Sequence, residues 1–171
     1  MTPADTIRTL QSEFGPAILD ANPDAPDPFV VVEPGRLADV ATFLRDDPRT
    51  LFAILNDVCG VDYLETDPKK LAKAGFAPHL EVVYHVSSFA APGRRFTFKV
   101  NLPREGTPEL PTLCRVWATA DWQEREVFDL FGVTFAGHPD LRRILLADDW
   151  AGHPLRKDYE YPDEYHGIRC K

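Results

Sequence analysis

One stretch of twenty residues, 121–140, combines a strong helix pattern with an unusual density of charge. It reads DWQEREVFDLFGVTFAGHPD. Asp121 is a favourable N-cap residue, and Glu124 three positions later completes a capping box. Gly132 is typical of a helix C-terminus. We therefore predict a helix over residues 122–131 and expect the rest of the chain to be arranged around it.

At about 100° per residue, the predicted helix has two different faces. One face is apolar and contains Val127, Phe128, Leu130 and Phe131. Glu124 falls on that same side, where two interpretations stay open: a cap at a partly exposed helix end, or a buried carboxylate paired with a cation. The other face contains Trp122, Arg125, Glu126 and Asp129.

A charged helix face is usually solvated, but two features of this one argue otherwise. Trp122 is costly to leave in water, and Glu126 and Asp129 are like charges one turn apart, which repel on a helix. The cations that follow are Arg142, Arg143, Arg156 and Lys157. We predict that the chain folds back so that at least one of these arginines pairs with Glu124, Glu126 or Asp129.

Hydrophobic periodicity elsewhere predicts an α+β fold. Helices are expected at 2–14, 37–45 and 108–117, strands at 29–32, 51–55, 80–86 and 95–102, and a polar loop at 67–78. This order gives a β-α-β-β-β-α core with a single mixed β-sheet, packed helices and an extended C-terminal arm. We divide the chain into an N-terminal helix and Pro/Asp-rich loop (1–28), an α+β domain (29–135) and the arm (136–171).

Composition excludes several classes of protein. The 171 residues are 44% hydrophobic and 27% charged, which is globular, and the net charge of −8 disfavours nucleic acid and anionic lipid as ligands. No apolar run reaches about 18 residues, so we expect contact with a membrane only through another protein. Cys59, Cys114 and Cys170 form no CxxC pair, which removes the basis for an iron–sulfur or zinc-ribbon site.

The motifs of self-contained active sites are also missing from the sequence. The five histidines show no HExxH or other metal-ligand spacing, so we expect no metal site. Glu126 and Asp129 are a carboxylate pair of the kind that can transfer protons, but no nucleophile motif or phosphate-binding loop accompanies them. The residues favour an interaction subunit, and a free-standing enzyme using Glu126, Asp129 and His138 is the alternative from another class.

The central stretch also resembles a known family. Its pattern of Glu124-Arg125-Glu126, Asp129, His138 and Arg142, without a gap, is similar to the signature of the 30 kDa subunit of respiratory complex I, the NADH-quinone oxidoreductase. The resemblance spans about residues 29–162 and includes 60–63, 81–85 and the segment 149–159. Further positions that match or flank the motif are Trp122, Arg143, His153, Arg156, Lys157, Asp158 and Tyr159.

The resemblance implies a non-catalytic structural and assembly subunit in the peripheral arm of a proton-translocating NADH:quinone oxidoreductase. It implies that FMN, iron–sulfur clusters, NADH and quinone are held by other subunits, and that this chain binds no cofactor or metal. The implied partners are the large hydrogenase-like subunit of complex I, which the C-terminal arm wraps, and neighbouring peripheral-arm subunits. The implied location is the cytoplasmic side of the bacterial inner membrane.

One departure from the family pattern lies in the arm, where Glu160-Tyr161 separate Tyr159 from Pro162. An equivalent subunit of a complex-I-like membrane-bound hydrogenase, or of another quinone-reducing complex, is the nearest alternative function. The signature positions are interpreted as partner-interface or structural positions, and none is assigned to catalysis.

Overall fold

The computed structural model describes residues 1–71 and 73–170. Its helices are α1 (Pro3–Phe14), α2 (Leu37–Asp46), α3 (Pro68–Leu71) and α4 (Ala120–Phe131). Its strands are β1 (Ile18–Asn22), β2 (Phe29–Val32), β3 (Ile54–Tyr63), β4 (His79–Ser87), β5 (Arg95–Leu102), β6 (Glu109–Pro111), β7 (Thr134–Ala136), β8 (Glu164–Tyr165) and β9 (Ile168–Arg169). Ala72, in the predicted loop 67–78, and Lys171, in the predicted arm, lie outside the described residues.

Five strands form the main sheet, in the order β1-β2-β5-β4-β3. Strand β2 pairs with β5 in parallel, whereas the β1–β2, β3–β4 and β4–β5 pairs are antiparallel. Two short ladders, β6–β7 and β8–β9, lie outside this sheet. The predicted α+β class with a mixed sheet and packed helices is therefore confirmed.

Alternation along the strands places one face of the sheet in the hydrophobic core. Val82, Tyr84 and Val86 of β4 and Phe96 and Phe98 of β5 are each at most 2% exposed. Apolar residues of α1, α2 and α4 belong to the same core cluster. Helix α4 packs against β3, the strand at one edge of the sheet. The sheet thereby fixes α4, which carries the charged stretch.

The predicted elements at 2–14, 29–32, 37–45, 80–86 and 95–102 are present with bounds shifted by at most a few residues. Strand β1 was not predicted, because its five residues show little alternation between buried and exposed positions. The strand predicted at 51–55 lies instead at β3, ten residues long, which begins at Ile54 and continues through Asp62. The division of the chain at residues 28 and 135 remains a proposal.

The helix predicted at 108–117 is wrong. Leu110 lies in β6, which pairs in parallel with β7, and turns follow it. The backbone N–H groups of Leu113 and Cys114 bind the side chains of Glu124 and Thr112 instead of carbonyls one helical turn earlier. The helical spacing of Leu110, Leu113 and Trp117 reflects burial in a turn, since all three are core residues.

Regular structure becomes sparse after β7, as the prediction of an extended arm requires. The arm returns to the domain: the Leu155 N–H donates to the Leu130 carbonyl at 3.1 Å, and the Lys157 N–H donates to Asp62 Oδ2 at 2.8 Å. No helix in the two described ranges has the length and apolar character needed to cross a bilayer.

Close packing between α4 and β3 gives a first test. A Cβ atom added to Gly60 would lie 2.7 and 2.8 Å from two atoms of the Phe131 ring, whereas one added to Gly35 would meet nothing within 4 Å. We expect Gly60→Ala to lower the free energy of unfolding by about 1–3 kcal/mol, because the core cannot absorb the extra group. Gly35→Ala is the matched control, and equal effects of the two in urea unfolding would contradict this packing.

Candidate functional site: helix α4 and the C-terminal arm

Helix α4 is longer at its N-terminus than predicted. It begins at Ala120, so Asp121 lies in the first turn, and the N-cap residue Thr119 makes no side-chain capping hydrogen bond. The predicted capping box of Asp121 and Glu124 is therefore wrong. The predicted C-terminus is confirmed, because Gly132 has left-handed backbone angles (φ 73°). A Cβ atom at Gly132 would lie 2.5 Å from the His153 ring, so this glycine also leaves space for the arm.

Glu124 is fully buried and points into the loop that precedes the helix. Its carboxylate accepts hydrogen bonds from the Thr112 hydroxyl at 2.6 Å and the Leu113 N–H at 2.7 Å, with the Cys114 thiol at 3.6 Å. Burial raises the pKa of Glu124, and these hydrogen bonds only partly oppose the shift. The interpretation as a buried group is correct, and most of its partners are neutral donors.

The nearest cationic candidate for Glu124 is His138, whose Nε2 lies 4.0 Å from the carboxylate. Both ring nitrogens of His138 have other partners: Nε2 donates to the Asp121 carbonyl at 3.0 Å, and Nδ1 accepts from the Asp140 N–H at 3.0 Å. This pattern fits an imidazole protonated on Nε2. His138 therefore holds the turn after β7 against the first turn of α4.

Cys114, Glu124 and His138 have ligand atoms within 4.8 Å of one another, which makes them the described part's candidate for a shared metal ion. A metal-bound histidine normally donates its second ring N–H to an acceptor. Nδ1 of His138 instead faces the Asp140 N–H donor, and burial first of all raises the pKa of the Cys114 thiol to about 11. The donor set does not fit a metal ion, and the cluster is better described as a hydrogen-bond network.

Arg125 lies on the predicted charged face, yet it is only 5% exposed. Its Nε donates to the Arg142 carbonyl and its Nη2 to the Arg143 carbonyl, each at 3.1 Å. The guanidinium carbon lies 5.9 Å from the centre of the Trp122 ring. Arg125 thus binds the backbone of the arm, which the sequence did not predict.

Asp129 is fully buried beneath the arm and makes the ion pair predicted from the sequence. Its Oδ1 lies 2.6 Å from Nη1 of Arg143. Its Oδ2 accepts the consecutive backbone N–H groups of Ile144, Leu145 and Leu146 at 3.0, 2.8 and 2.9 Å. Burial would raise the pKa of Asp129, but the backbone donors and Arg143 outweigh it, so the pKa is lowered.

The rest of the arm is held by further contacts at the C-terminal end of α4. His153 Nδ1 donates to the Asp129 carbonyl at 2.9 Å, and Arg156 Nε donates to the Phe131 carbonyl at 2.6 Å. The Tyr159 hydroxyl donates to the Ala151 carbonyl at 3.1 Å. Three of the predicted arm positions therefore bind backbone carbonyls within this chain, two of them on α4.

Asp62 and Arg104 are functional positions that sequence reasoning missed. Arg104 contacts both oxygens of Asp62 at 2.7 and 3.0 Å, and it also pairs with Asp158 at 2.8 Å. Burial alone would raise the pKa of Asp62, but Arg104 and the Lys157 N–H lower it. Asp62 lies in the 60–63 stretch already noted, whereas nothing local in the sequence marks Arg104 as its partner.

The predicted charged face is thus divided by burial. Arg125 and Asp129 point under the arm, whereas Trp122 is 69% exposed and Glu126 is also exposed. Arg142 is directed outward too, in an exposed pair with Asp140. Cavities of about 400 Å³ lie on the uncovered face of the sheet and beside the arm, and neither is lined by Glu126, Asp129 or His138. These three side chains do not form an accessible acid–base site.

The buried ion pair can be tested against an exposed one. We expect Asp129→Asn to lower the free energy of unfolding by about 3–5 kcal/mol, because Arg143 and the backbone donors lose a buried charge. Asp140→Asn, which affects the exposed Arg142 pair, should cost about 0–1 kcal/mol. Urea unfolding of the purified chain measures both, and similar losses for the two variants would contradict the role assigned to Asp129.

The raised pKa of Glu124 predicts a pH dependence with a defined sign. Above its unfolded value near 4.5, the folded state holds a proton that the unfolded state has released, so stability falls as pH rises through this window. The lowered pKa values of Asp62 and Asp129 act in the opposite direction, and only at pH near or below 3.8. Glu124→Gln should therefore flatten the fall in unfolding free energy between about pH 4.5 and 7. Parallel curves for the variant and the parent chain would contradict it.

Comparison with known proteins identifies relatives over most of the chain. The family model described as "Respiratory-chain NADH dehydrogenase, 30 Kd subunit" matches residues 30–165. An NADH-quinone oxidoreductase subunit from Roseiflexus castenholzii is 46% identical over 152 residues, covering 89% of this chain and 80% of that protein. The NADH-quinone oxidoreductase subunit of the same name from Chlorobium phaeobacteroides is 40% identical over 162 residues, covering 94% and 90%.

Two solved structures share the fold. A trypsin-resistant fragment (1-134) of Nqo5 is 30% identical with a TM-score of 0.58, covering 79% of this chain and 98% of that one. A chain of the membrane-bound sulfane sulfur reductase, an archaeal respiratory membrane complex, has a TM-score of 0.70 at 21% identity, covering 92% and 85%. The second match concerns the fold alone. From the family model and the sequence relatives, the chain belongs to the 30 kDa subunit family of respiratory-chain NADH dehydrogenase.

Proposed function

We propose that this chain is a structural and assembly subunit of an NADH:quinone oxidoreductase of the complex I type, with no catalytic site of its own. The names of its relatives support the parent complex. The contacts of Asp129 are the observation that carries the structural role. A carboxylate with an arginine and three backbone donors has no free lone pair for chemistry, and it fixes a loop against a helix.

The other signature residues support the same role. Glu124 holds the segment before α4, Arg125 holds the carbonyls of the arm, and His138 holds the turn after β7. Each of these contacts binds irregular backbone to one helix. Buried backbone groups in loops need such partners. The arrangement presents a preformed surface to neighbouring subunits and supplies no reacting group.

The chemistry of the cysteines supports cofactors held by other subunits. Cys59, Cys114 and Cys170 are all free thiols. Burial is the largest of the causes that raise the pKa of Cys59 to about 12 and that of Cys114 to about 11. Iron–sulfur clusters need thiolates, which these surroundings disfavour. FMN, iron–sulfur clusters, NADH and quinone are accordingly assigned to other subunits of the complex.

The proposed partners are the large hydrogenase-like subunit of complex I and its neighbours in the peripheral arm, on the cytoplasmic side of the membrane. The family resemblance supports this assignment, as do the exposed side chains Trp122, Leu145 and Ile168, which are 62–69% exposed on α4 and the arm. Large apolar side chains that face solvent on a preformed surface favour burial against another protein.

The alternative is the equivalent subunit of a complex-I-like hydrogenase or other quinone-reducing complex. The fold shared with the sulfane sulfur reductase chain is compatible with it. The much higher identity to NADH-quinone oxidoreductase subunits favours the first proposal. Subunits that co-purify with the tagged chain discriminate between the two: NADH-binding subunits support the first, and subunits with hydrogenase-type metal ligands support the alternative.

Loss of one arm contact should affect assembly before turnover. Arg125→Ala leaves the Arg142 and Arg143 carbonyls without their donors, so we expect several-fold less assembled complex but nearly unchanged NADH:quinone turnover per assembled unit. Arg115→Ala, at an exposed position, is the control. Normal assembly combined with lost turnover would contradict a purely structural role.

A further inference from the structure

The outward side of α4 carries two exposed residues one turn apart, Trp122 and Glu126. Their neighbours on this side of the helix, Arg125 and Asp129, are buried and bound to the arm. Within residues 1–71 and 73–170, the Glu126 carboxylate has no hydrogen bond and no ion pair. Of the three acids in the signature, it alone is left without an internal partner.

The arm extends this outward surface. The Leu145 N–H is held by Asp129, seven residues after Trp122 and hence on the same side of α4, and the Leu145 side chain is 62% exposed. Glu126 lies toward the edge strand β3, because after burial and Asp57 its charge also raises the pKa of the Cys59 thiol. Trp122, Leu145 and Glu126 therefore form an aromatic and aliphatic surface with an unpaired negative charge at one side, which we name the α4 outer surface.

The charge of the α4 outer surface decides what can cover it. Burial of Glu126 against an uncharged surface would leave a desolvated carboxylate without a partner, which is costly. A second copy docked symmetrically on the same surface would bring two Glu126 carboxylates together, since a two-fold interface is self-complementary. Anionic lipid would be repelled by Glu126 and by the net charge of −8. A protein surface with a cation satisfies both the charge and the tryptophan.

We propose that the α4 outer surface docks into an apolar recess of a neighbouring subunit, with an arginine or lysine of that subunit pairing with Glu126 beside the Trp122 ring. This inference rests on the proposed function, because it assumes that the chain is incorporated into a larger complex. Tryptophan is among the residues that contribute most to binding at protein interfaces, and a cation next to its ring gains further from the ring's negative face.

The experiment uses the assembled complex, immobilised through a tag on another subunit, and measures the rate at which this chain is released. Trp122→Ala and Glu126→Gln should each raise the release rate about tenfold. Glu33→Gln is the matched control, because Glu33 is an exposed acid after β2, three strands away from β3 in the sheet, and should leave the rate unchanged. Thermal unfolding of the isolated variants should match the parent chain, since both substituted side chains are exposed.

A second measurement needs no variant. Hydroxyl-radical oxidation of Trp122, read by mass spectrometry, should be several-fold slower in the complex than in the isolated chain. Equal oxidation in both, or release of Glu126→Gln at the rate of Glu33→Gln, would overturn the inference, as would an effect of Trp122→Ala alone. If the parent chain is not recovered with the complex at all, the proposed function itself fails, so the two failures are distinguishable.

Discussion

The carboxylate of Asp129 is the contact on which the path of the C-terminal arm depends. A fully buried carboxylate is costly unless every lone pair is used, and here one oxygen faces Arg143 while the other accepts three consecutive N–H groups. Arg143 in turn donates to the carbonyls of Trp150 and Gly152 at 2.8 and 3.1 Å. One carboxylate and one guanidinium therefore fix a segment of about ten residues that has no regular structure of its own.

Helix α4 uses its other charged residues in the same way. Glu124 binds the segment before the helix, Arg125 binds the start of the arm, and each meets backbone groups that no strand or helix satisfies. Burial of charge in this helix serves to order loops, which explains why a stretch so rich in acids contains no accessible proton-transfer pair. Trp122 and Glu126 are the residues of α4 that remain turned to the outside, where a neighbouring subunit can reach them.

Local features of the sequence were sufficient for the parts of the fold that rest on local physics. The helix itself, its end at Gly132 and the return of an arginine to an acid of the helix all follow from residue type and spacing. A helical wheel gives angles but not what lies opposite them, so it placed Arg125 and Asp129 beside Trp122 without showing which would be buried. The partner of Glu124 is a loop eleven residues earlier, and Asp62 meets Arg104 across 42 residues. Such contacts depend on the assembled fold and leave no local signal.

The account requires that this chain fixes its own arm before any partner binds. Hydrogen exchange at the backbone amides of Ile144, Leu145 and Leu146 in the isolated chain tests that claim most directly, because these amides lie in no helix or strand and their acceptor is Asp129. The account predicts that the three exchange slowly and lose that protection together in Asp129→Asn. Exchange at the rate of an unstructured peptide in the isolated chain, with protection arising only in the assembled complex, would contradict it.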